Sequence, residues 1–554
     1  MKTKLIFCFI LFCGVINAQT SNWVWAKQAI GKTSYGFDVA MDGSGNTYVG
    51  GAFNDTAQFD NITVIGPDQW ANVGYVTKYD SIGTIQWVDK FTSNESSSVD
   101  KISIDSQNNI LVLGYFSGTL HAGGFILNST SWNNVLFLLK ISPLGNVLWA
   151  KQANSTMTCQ AVSISIDALD NIYLTGDNSA QASFDNLTTT TTGMFIVKYN
   201  SAGTPTQLIQ QPKCSSRSVN VGKGSKIYFS GTLGDTAVIG NDTLYPTGYY
   251  QAVFNGNSWD TVFTFSNDML FICYDASGNV VWWKQAKSKS YDNWTFSALD
   301  DFSNLYVTSY TNDTTDFWGT SLFPTSLNTP FMIKIDSLGK MAWLKSGQSI
   351  STNGRIYFQN ITCRNNYIYT VGFPAGISSF ANVTVNSGSS NQNSFILKMD
   401  SAGNGIWVQI DTTNLERLGS EAISVDKDEN ITICGIFQKS AHFGNHYLNS
   451  YGKGSLIMFA AKMSSHPLGV NENVFLKDRI DIFPNPSNGH FCVLNEKNKI
   501  DLMQVHNIFG EKVYSSQINS NKTEIDLSSQ PNGIYFLQLR NNNGVVSKKV
   551  IIQK

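Results

Sequence analysis

Charged side chains make up only 14 % of the 554 residues, and 38 basic groups nearly cancel 40 acidic ones, for a net charge of −2. That balance supplies no field to hold nucleic acid or an anionic membrane surface. Histidine is scarcer still, at six. His442 and His446 have the i,i+4 spacing of a helical metal pair, but AHFGNHY with its central Gly444 reads as strand or loop, where that spacing diverges. No metal centre is expected. The Asp-rich turns DGSGN and DKDEN leave calcium as the one cofactor to consider, without the full pattern of a dedicated calcium loop. No G-x-S-x-G elbow or ordered Ser, His and Asp set appears, which argues against a serine hydrolase. Eight cysteines include no C-x-x-C pair, against zinc or redox chemistry. Cys273 and Cys434 lie in apolar runs, as small hydrophobes do. Cys159 and Cys214, at similar places in neighbouring repeats, are the pair to consider for a disulfide.

Long apolar runs are also missing, apart from one at the start. Lys2 and Lys4 followed by an apolar stretch from Leu5 to Ile16 read as a signal peptide over residues 1–18, with cleavage between Ala18 and Gln19. The stretch is too short for a permanent transmembrane helix. Phe12 is too bulky for lipid processing at Cys13. The reading is a chain exported through the periplasm, with no transmembrane segment, to the medium or the outer-membrane surface.

Glycine, at 45 against 12 prolines, and aromatics at 12 % are plentiful. They fit many short strands joined by tight turns. Two signatures alternate over residues 22–463. The first is an apolar strand, Lys, a small turn ending in Gly, and a strand reaching Trp: YVTKYDSIGTIQW (75–87), LFLLKISPLGNVLW (136–149), FMIKIDSLGKMAW (331–343) and FILKMDSAGNGIW (395–407). Asp80, Asp275, Asp336 and Asp400, each with Gly three residues on, suit type I turns. The second is a strand, an Asp/Asn/Gly turn and an alternating strand, as in VAMDGSGNTYVGGAF (39–53) and ISIDSQNNILVLGYF (102–116). Two hairpins give the four strands of a propeller blade. Trp25, Trp87, Trp149, Gln207, Trp282, Trp343 and Trp407 anchor units of about sixty residues, with extra sequence near 236–268. WVWAKQ (23–28) has no hairpin before it, and LIMFAAKM (456–463) has no Trp strand after it. Docking one beside the other completes a seventh blade and removes the open edges. The expected fold is all-β: a seven-bladed β-propeller over 19–463, a linker over 464–479, and a small β-sandwich over 480–554.

DGSGNTYVGG (42–51) resembles the motif of a bacterial β-propeller repeat family, the SBBP-like repeats, which implies a fold and a secreted setting. The tail, with IDIFPNPSNGHFCV, VHNIFGEKVYSS, IDLSSQPNGIYFLQL and SKKVIIQK, resembles the type A C-terminal sorting domain of the type IX secretion system. Pro484, Asn485, Pro486, Gly489, Gly510, Gly533, Tyr535, Lys548 and Lys549 carry that resemblance. It implies passage across the outer membrane by the type IX machinery, then removal of the tail with release or surface attachment.

Candidate sites are weaker than the fold. Asp42, Asp105, Asp167, Asp301 and Asp426 recur at equivalent turns, so turn duty outweighs catalysis. A polysaccharide-active enzyme, the alternative, would need singular acids at the central channel; Glu416 and Glu421 are the least repetitive. Trp70, Trp132, Trp259, Trp294 and Trp318 lie outside the anchor series among Asn, Ser and Thr, a mixture suited to sugar faces and hydroxyls but also to packing under loops. Asp followed by Ser or Thr and a small or aliphatic residue resembles the O-glycosylation site of bacteria with type IX secretion. It marks Thr56, Ser81, Thr236, Thr243, Ser337 and Ser401. The favoured function is an adhesive or binding scaffold, with polysaccharide or a surface protein as partner. Loops such as 232–268 would provide the contacts.

Overall fold

The computed structural model describes residues 23–465 and 480–554, except 68–69, 130–132, 255–258, 290–294, 352–353, 388–392, 413–417, 453–455, 496–501, 508–510, 518–521 and 542–543. The signal peptide with Ala18 and Gln19, Trp132, Trp294, Glu416, Gly510 and most of the linker lie outside them. The chain divides into two compact units, Met1–Ser465 and His466–Lys554.

Among the described residues the secondary structure is strands, with one short 3-10 turn at Lys223–Ser225. The first unit has a propeller-type fold built from four-stranded antiparallel meanders. One consists of Ser96–Ile104, Ile110–Ser117, Val135–Ile141 and Val147–Gln152, paired in chain order. The same order starts again at Cys159, Cys214, Phe296, Arg355 and Leu418. The strand Trp23–Met41 serves two meanders. Its second half pairs with Thr47–Phe59, from Thr33 opposite Asn54 to Met41 opposite Thr47. Its first half pairs antiparallel with Ile457–Met463, from Trp23 opposite Met463 to Ala29 opposite Met458. The two ends of the repeat region therefore meet in one sheet. A cavity of about 390 Å³ is lined by the first strands of the meanders among the described residues.

The repeated letters serve turns and latches. In the Asp turns the carboxylate accepts the N–H groups two and four residues on, as Asp105 does from Gln107 and Asn109 at 2.9 and 2.8 Å. Its second oxygen takes the Asn109 amide at 2.9 Å. For Asp167, burial pushes the pKa up, but the Asn171 side chain and the turn N–H groups outweigh it and hold the carboxyl below its ordinary value. In the fifth meander the turn acid is Asp300, which binds Phe302, Asn304 and the Tyr306 hydroxyl, rather than Asp301 as the repeat reading expects.

The Trp and Lys of the first signature reach across to the following meander. Trp87 Nε1 and Lys78 Nζ both donate to the Pro143 carbonyl, at 3.2 and 2.9 Å. Trp343 Nε1 and Lys334 Nζ share the Ser401 carbonyl, at 3.1 and 3.2 Å. Each indole lies on the turn glycine: a Cβ on Gly339, whose φ is +82°, would sit 2.9 Å from Trp282. Lys462 continues the series from the last meander to the first, donating to the Gly45 carbonyl at 2.7 Å.

A third element recurs as well. Between the second and third strands of every meander stands a short hairpin: 56–59 with 62–65, 119–122 with 125–128, 182–184 with 187–188, 237–239 with 242–244, 315–317 with 320–322, 377–380 with 383–386, and 440–443 with 446–449. The extra sequence of the fourth unit forms a further hairpin, Gly248–Phe254 with Trp259–Phe265.

The second unit has two sheets. One holds Ile480–Phe483, His490–Asn495 and Lys522–Asp526; the other holds Lys512–Gln517, Leu502–Asn507, Gly533–Asn541 and Gly544–Ile552. One core, including Phe491, Val493, Val505, Tyr535 and Leu537, draws on both.

Candidate functional site

Most singled-out residues are engaged in structure. His442 packs at a tilt against Tyr447, with ring centroids 4.8 Å apart, and His446 Nε2 bonds the Trp23 carbonyl at 3.1 Å. Among the described residues no group of three or more His, Cys, Asp or Glu is placed to hold a metal ion. Cys159 and Cys214 are buried free thiols, each pushed up to about 12 first by burial and then by Asp177. In the tail, Asn485 brackets the last strand: its amide donates to the Lys549 carbonyl, and its oxygen accepts the Ile551 N–H, both at 2.8 Å. Tyr535 donates to the Pro531 carbonyl at 2.8 Å. Ser81, Thr236 and Thr243 are exposed; Thr56, Ser337 and Ser401 are partly so.

A site emerges where the repeat is broken. At two junctions the outermost strand of a meander ties to the next short hairpin by a Lys–Asp ion pair: Lys27 to Asp60 at 2.8 Å and Lys151 to Asp185 at 2.7 Å. From the fourth meander to the fifth, Lys284 keeps the lysine position, but Trp318 stands at the hairpin position that is Asp60 and Asp185 in those two and Gly123, Gly240, Ala381 and Gly444 in the others. The ammonium lies 5.9 Å from the indole centroid. The backbone makes this substitution costly. Asp60, Asp185 and Trp318 all sit at positive φ, +48°, +48° and +38°. Asp tolerates that conformation far better than a bulky residue does, and the strain for a Trp is on the order of 1–3 kcal/mol.

A groove of about 790 Å³ opens at this place. Its floor is Val280–Lys287, the outermost strand of the fourth meander, and its walls come from the 237–244 and 315–322 hairpins. Trp283 lies beside the anchor Trp282 and donates its Nε1 to Asp242 at 2.8 Å, which fixes the ring orientation. Trp318 is held edge-on by Phe271 and Phe317, at 6.2 and 6.0 Å. Gln285 donates to the Tyr245 carbonyl at 2.8 Å and to the buried Asp268 at 2.7 Å. Two partly exposed indoles therefore face a space edged by Asn241, Thr243, Lys284 and Asp316.

Of the expected loop tryptophans, this groove gathers Trp318 alone. Trp70 is exposed elsewhere, and the side chain of Trp259 is not among those described. Trp283 escapes a repeat reading because it neighbours an anchor. The signal that finds Trp318 is the third hairpin, read as QFDN, SFDN, DFWG and HFGN in register.

Residues 481–553 match the family model of the secretion system C-terminal sorting domain. That tail marks the chain for the type IX secretion machinery and for export to the cell surface or the medium. An uncharacterized WD repeat-containing protein of Acanthamoeba polyphaga mimivirus is 25 % identical over 270 residues, 42 % of this chain and 19 % of that protein. The chain thus spans about a fifth of that relative's length. The Pan2 WD40 domain of Neurospora crassa superposes with a TM-score of 0.39 at 7 % identity, covering 81 % of this chain and 97 % of that one. PorZ of Porphyromonas gingivalis, a surface component of the type IX secretion system, gives 0.16 at 8 % identity, covering 95 % and 100 %.

Proposed function

We propose that the protein is an exported binding scaffold that engages polysaccharide through the groove formed by Trp283 and Trp318. The carrying observation is the Trp at a left-handed position where the other hairpins carry Asp, Gly or Ala. A residue that costs backbone strain is kept for something other than the fold. Flat rings stack on sugar faces, and the adjacent amide, hydroxyl and charged groups reach sugar hydroxyls.

The scaffold in this reading is a closed seven-bladed propeller over residues 19–463, joined by a linker over 464–479 to the sorting domain over 480–554. Cleavage after Ala18 leaves Gln19 as the mature N-terminus, and some of Thr56, Ser81, Thr236, Thr243, Ser337 and Ser401 carry glycan. Adhesion to a polysaccharide surface is the role that follows.

The test is a glycan array probed with the mature chain from its native host, repeated with Trp318→Ala and Trp283→Ala. Loss of about 1–3 kcal/mol of binding, about fivefold or more, is expected for each. Binding that survives both substitutions would place the ligand elsewhere.

A further inference from the structure

The cavity lined by the seven first strands has a composition that the fold alone does not require. Neighbouring first strands are stapled there by short polar side chains. Met41 N–H donates to Ser424 Oγ at 3.1 Å, Ile102 N–H to Asp38 Oδ2 at 2.9 Å, and Val219 N–H to Ser163 Oγ at 3.2 Å. Six of these strands, all but Phe296–Leu299 among the described residues, also carry a register shift, between Val99 and Lys101 or between Ser216 and Ser218, for example. The residue skipped by the shift differs at every described copy: Phe37, Asp100, Val162, Arg217, Gln359 and Glu421. The bulge fixes a direction, and its side chain is free to vary.

Two cations, Lys101 and Arg217, line this cavity, on the second and fourth meanders. Equivalent to Lys101 are Asp38, Ser163, Ser218, Phe296, Asn360 and Ala422, so no lysine is needed there for the turn or the sheet. The rest of the polar lining consists of hydroxyls and amides, such as Ser103, Ser297, Asn360 and Thr362. The nearby acids are turned to local donors: Asp38 to Ile102 N–H, Asp100 to the Ser98 hydroxyl at 2.6 Å, and Asp177 to Ser216 N–H at 2.9 Å. The volume suits a ligand the size of one sugar ring.

We infer that this channel is a second binding site, separate from the groove, for a small polyhydroxy carboxylate of the uronic acid class, its carboxylate held by Lys101 and Arg217. The hydroxyls and amides of the lining serve the ligand's hydroxyls. The inference is independent of the groove.

The charged groups around the cations also set a pH dependence. Lys101 acts on Asp38 and Asp100, Arg217 on Asp177, and Glu421 stands at the equivalent bulge of the seventh meander. Burial lifts Asp100 and Asp177 to about 6 and raises Asp38 as well. Below that value Asp100 and Asp177 become neutral, so carboxylate binding strengthens from pH 7.5 to 5.5.

Calorimetric titration of the mature chain with sodium glucuronate, glucose and sodium sulfate tests the proposal. Saturable glucuronate binding is expected, tighter at pH 5.5, and weaker by about tenfold or more in Lys101→Gln and in Arg217→Gln. Melting curves of both variants report whether they fold, and the glucose and sulfate comparisons need no variant. Glucose or sulfate binding as tightly as glucuronate would overturn it, as would the absence of saturable binding. Glucuronate binding lost in Trp318→Ala but kept in Lys101→Gln would put the anion in the groove and overturn it equally.

Discussion

Replacing Asp411 by Asn should stabilise the protein at alkaline pH. Asp411 ends the outermost strand of the sixth meander and is 2 % exposed. Its Oδ1 accepts Trp23 Nε1 and Gln409 Nε2, each at 3.1 Å, and its Oδ2 has no partner among the described residues. Burial raises its pKa from 3.8 to about 7, against the opposing pull of the Gln409 and Trp23 bonds. Below 3.8 the acid is protonated in both folded and unfolded chains, and its contribution is complete. Between 3.8 and about 7 the unfolded chain releases a proton that the folded chain retains, so stability falls as pH rises; above about 7 the loss is complete. At 1.36 kcal/mol per decade the loss is about 2 kcal/mol at pH 5 and about 4 kcal/mol at pH 8. The amide keeps an acceptor for Trp23 and Gln409 but cannot ionise. Asp411→Asn should therefore gain about 2–3 kcal/mol on the wild type between those pH values. For a unit of this size that is about 3 °C in Tm, readable by differential scanning calorimetry at each pH. Tm curves that run parallel from pH 5 to 8 would refute the assignment.

Two further outcomes follow from the same geometry. Gly339→Ala should destabilise by about 1–3 kcal/mol, because an L-residue at φ +82° is strained and its methyl would meet Trp282; urea unfolding should show the cost shrinking when Trp282→Ala is added. Intact mass of the mature chain from its native host should begin at Gln19 and exceed the polypeptide mass by glycan; a mass equal to residues 19–554, or to that chain without its sorting domain, would exclude modification.

The propeller-type fold was legible because its latches are repeated letters. Lys78, Trp87 and Gly145 recur at one spacing since each meander must grip the next in the same way. The Asp doublet at 300–301 misleads only if the acid is considered alone. Asn stands four residues beyond Asp42, Asp105, Asp167 and Asp426, and Asn304 stands four beyond Asp300. The groove was not legible because its hairpins are short and share little beyond a buried apolar residue before a left-handed turn. The channel residues were less legible still. A bulge position that holds Phe, Asp, Val, Arg, Gln and Glu in turn has no periodicity to detect.

Singular residues need one further sorting, since the junction of the chain ends must differ from the other junctions for purely structural reasons. The outer strand of the last meander is Trp23–Ala29 from the other end of the chain, and Trp407 packs against that meander's core, whereas Trp343 lies on the turn glycine Gly403. Other groups act there instead. Lys398 pairs with Glu429 at 2.6 Å, and Glu429 also accepts the Tyr369 hydroxyl at 2.9 Å. Trp23 is fixed by Asp411 and packs against Phe443, with ring centroids 5.1 Å apart. Glu429, Asp411 and His446 are therefore explained by the junction, although each is unique in the repeat. Trp318, Lys101 and Arg217 are not. They stand on the second, fourth and fifth meanders, away from the junction of the chain ends. Departure from the repeat points to binding only after the needs of the junction have been subtracted, and these three residues remain.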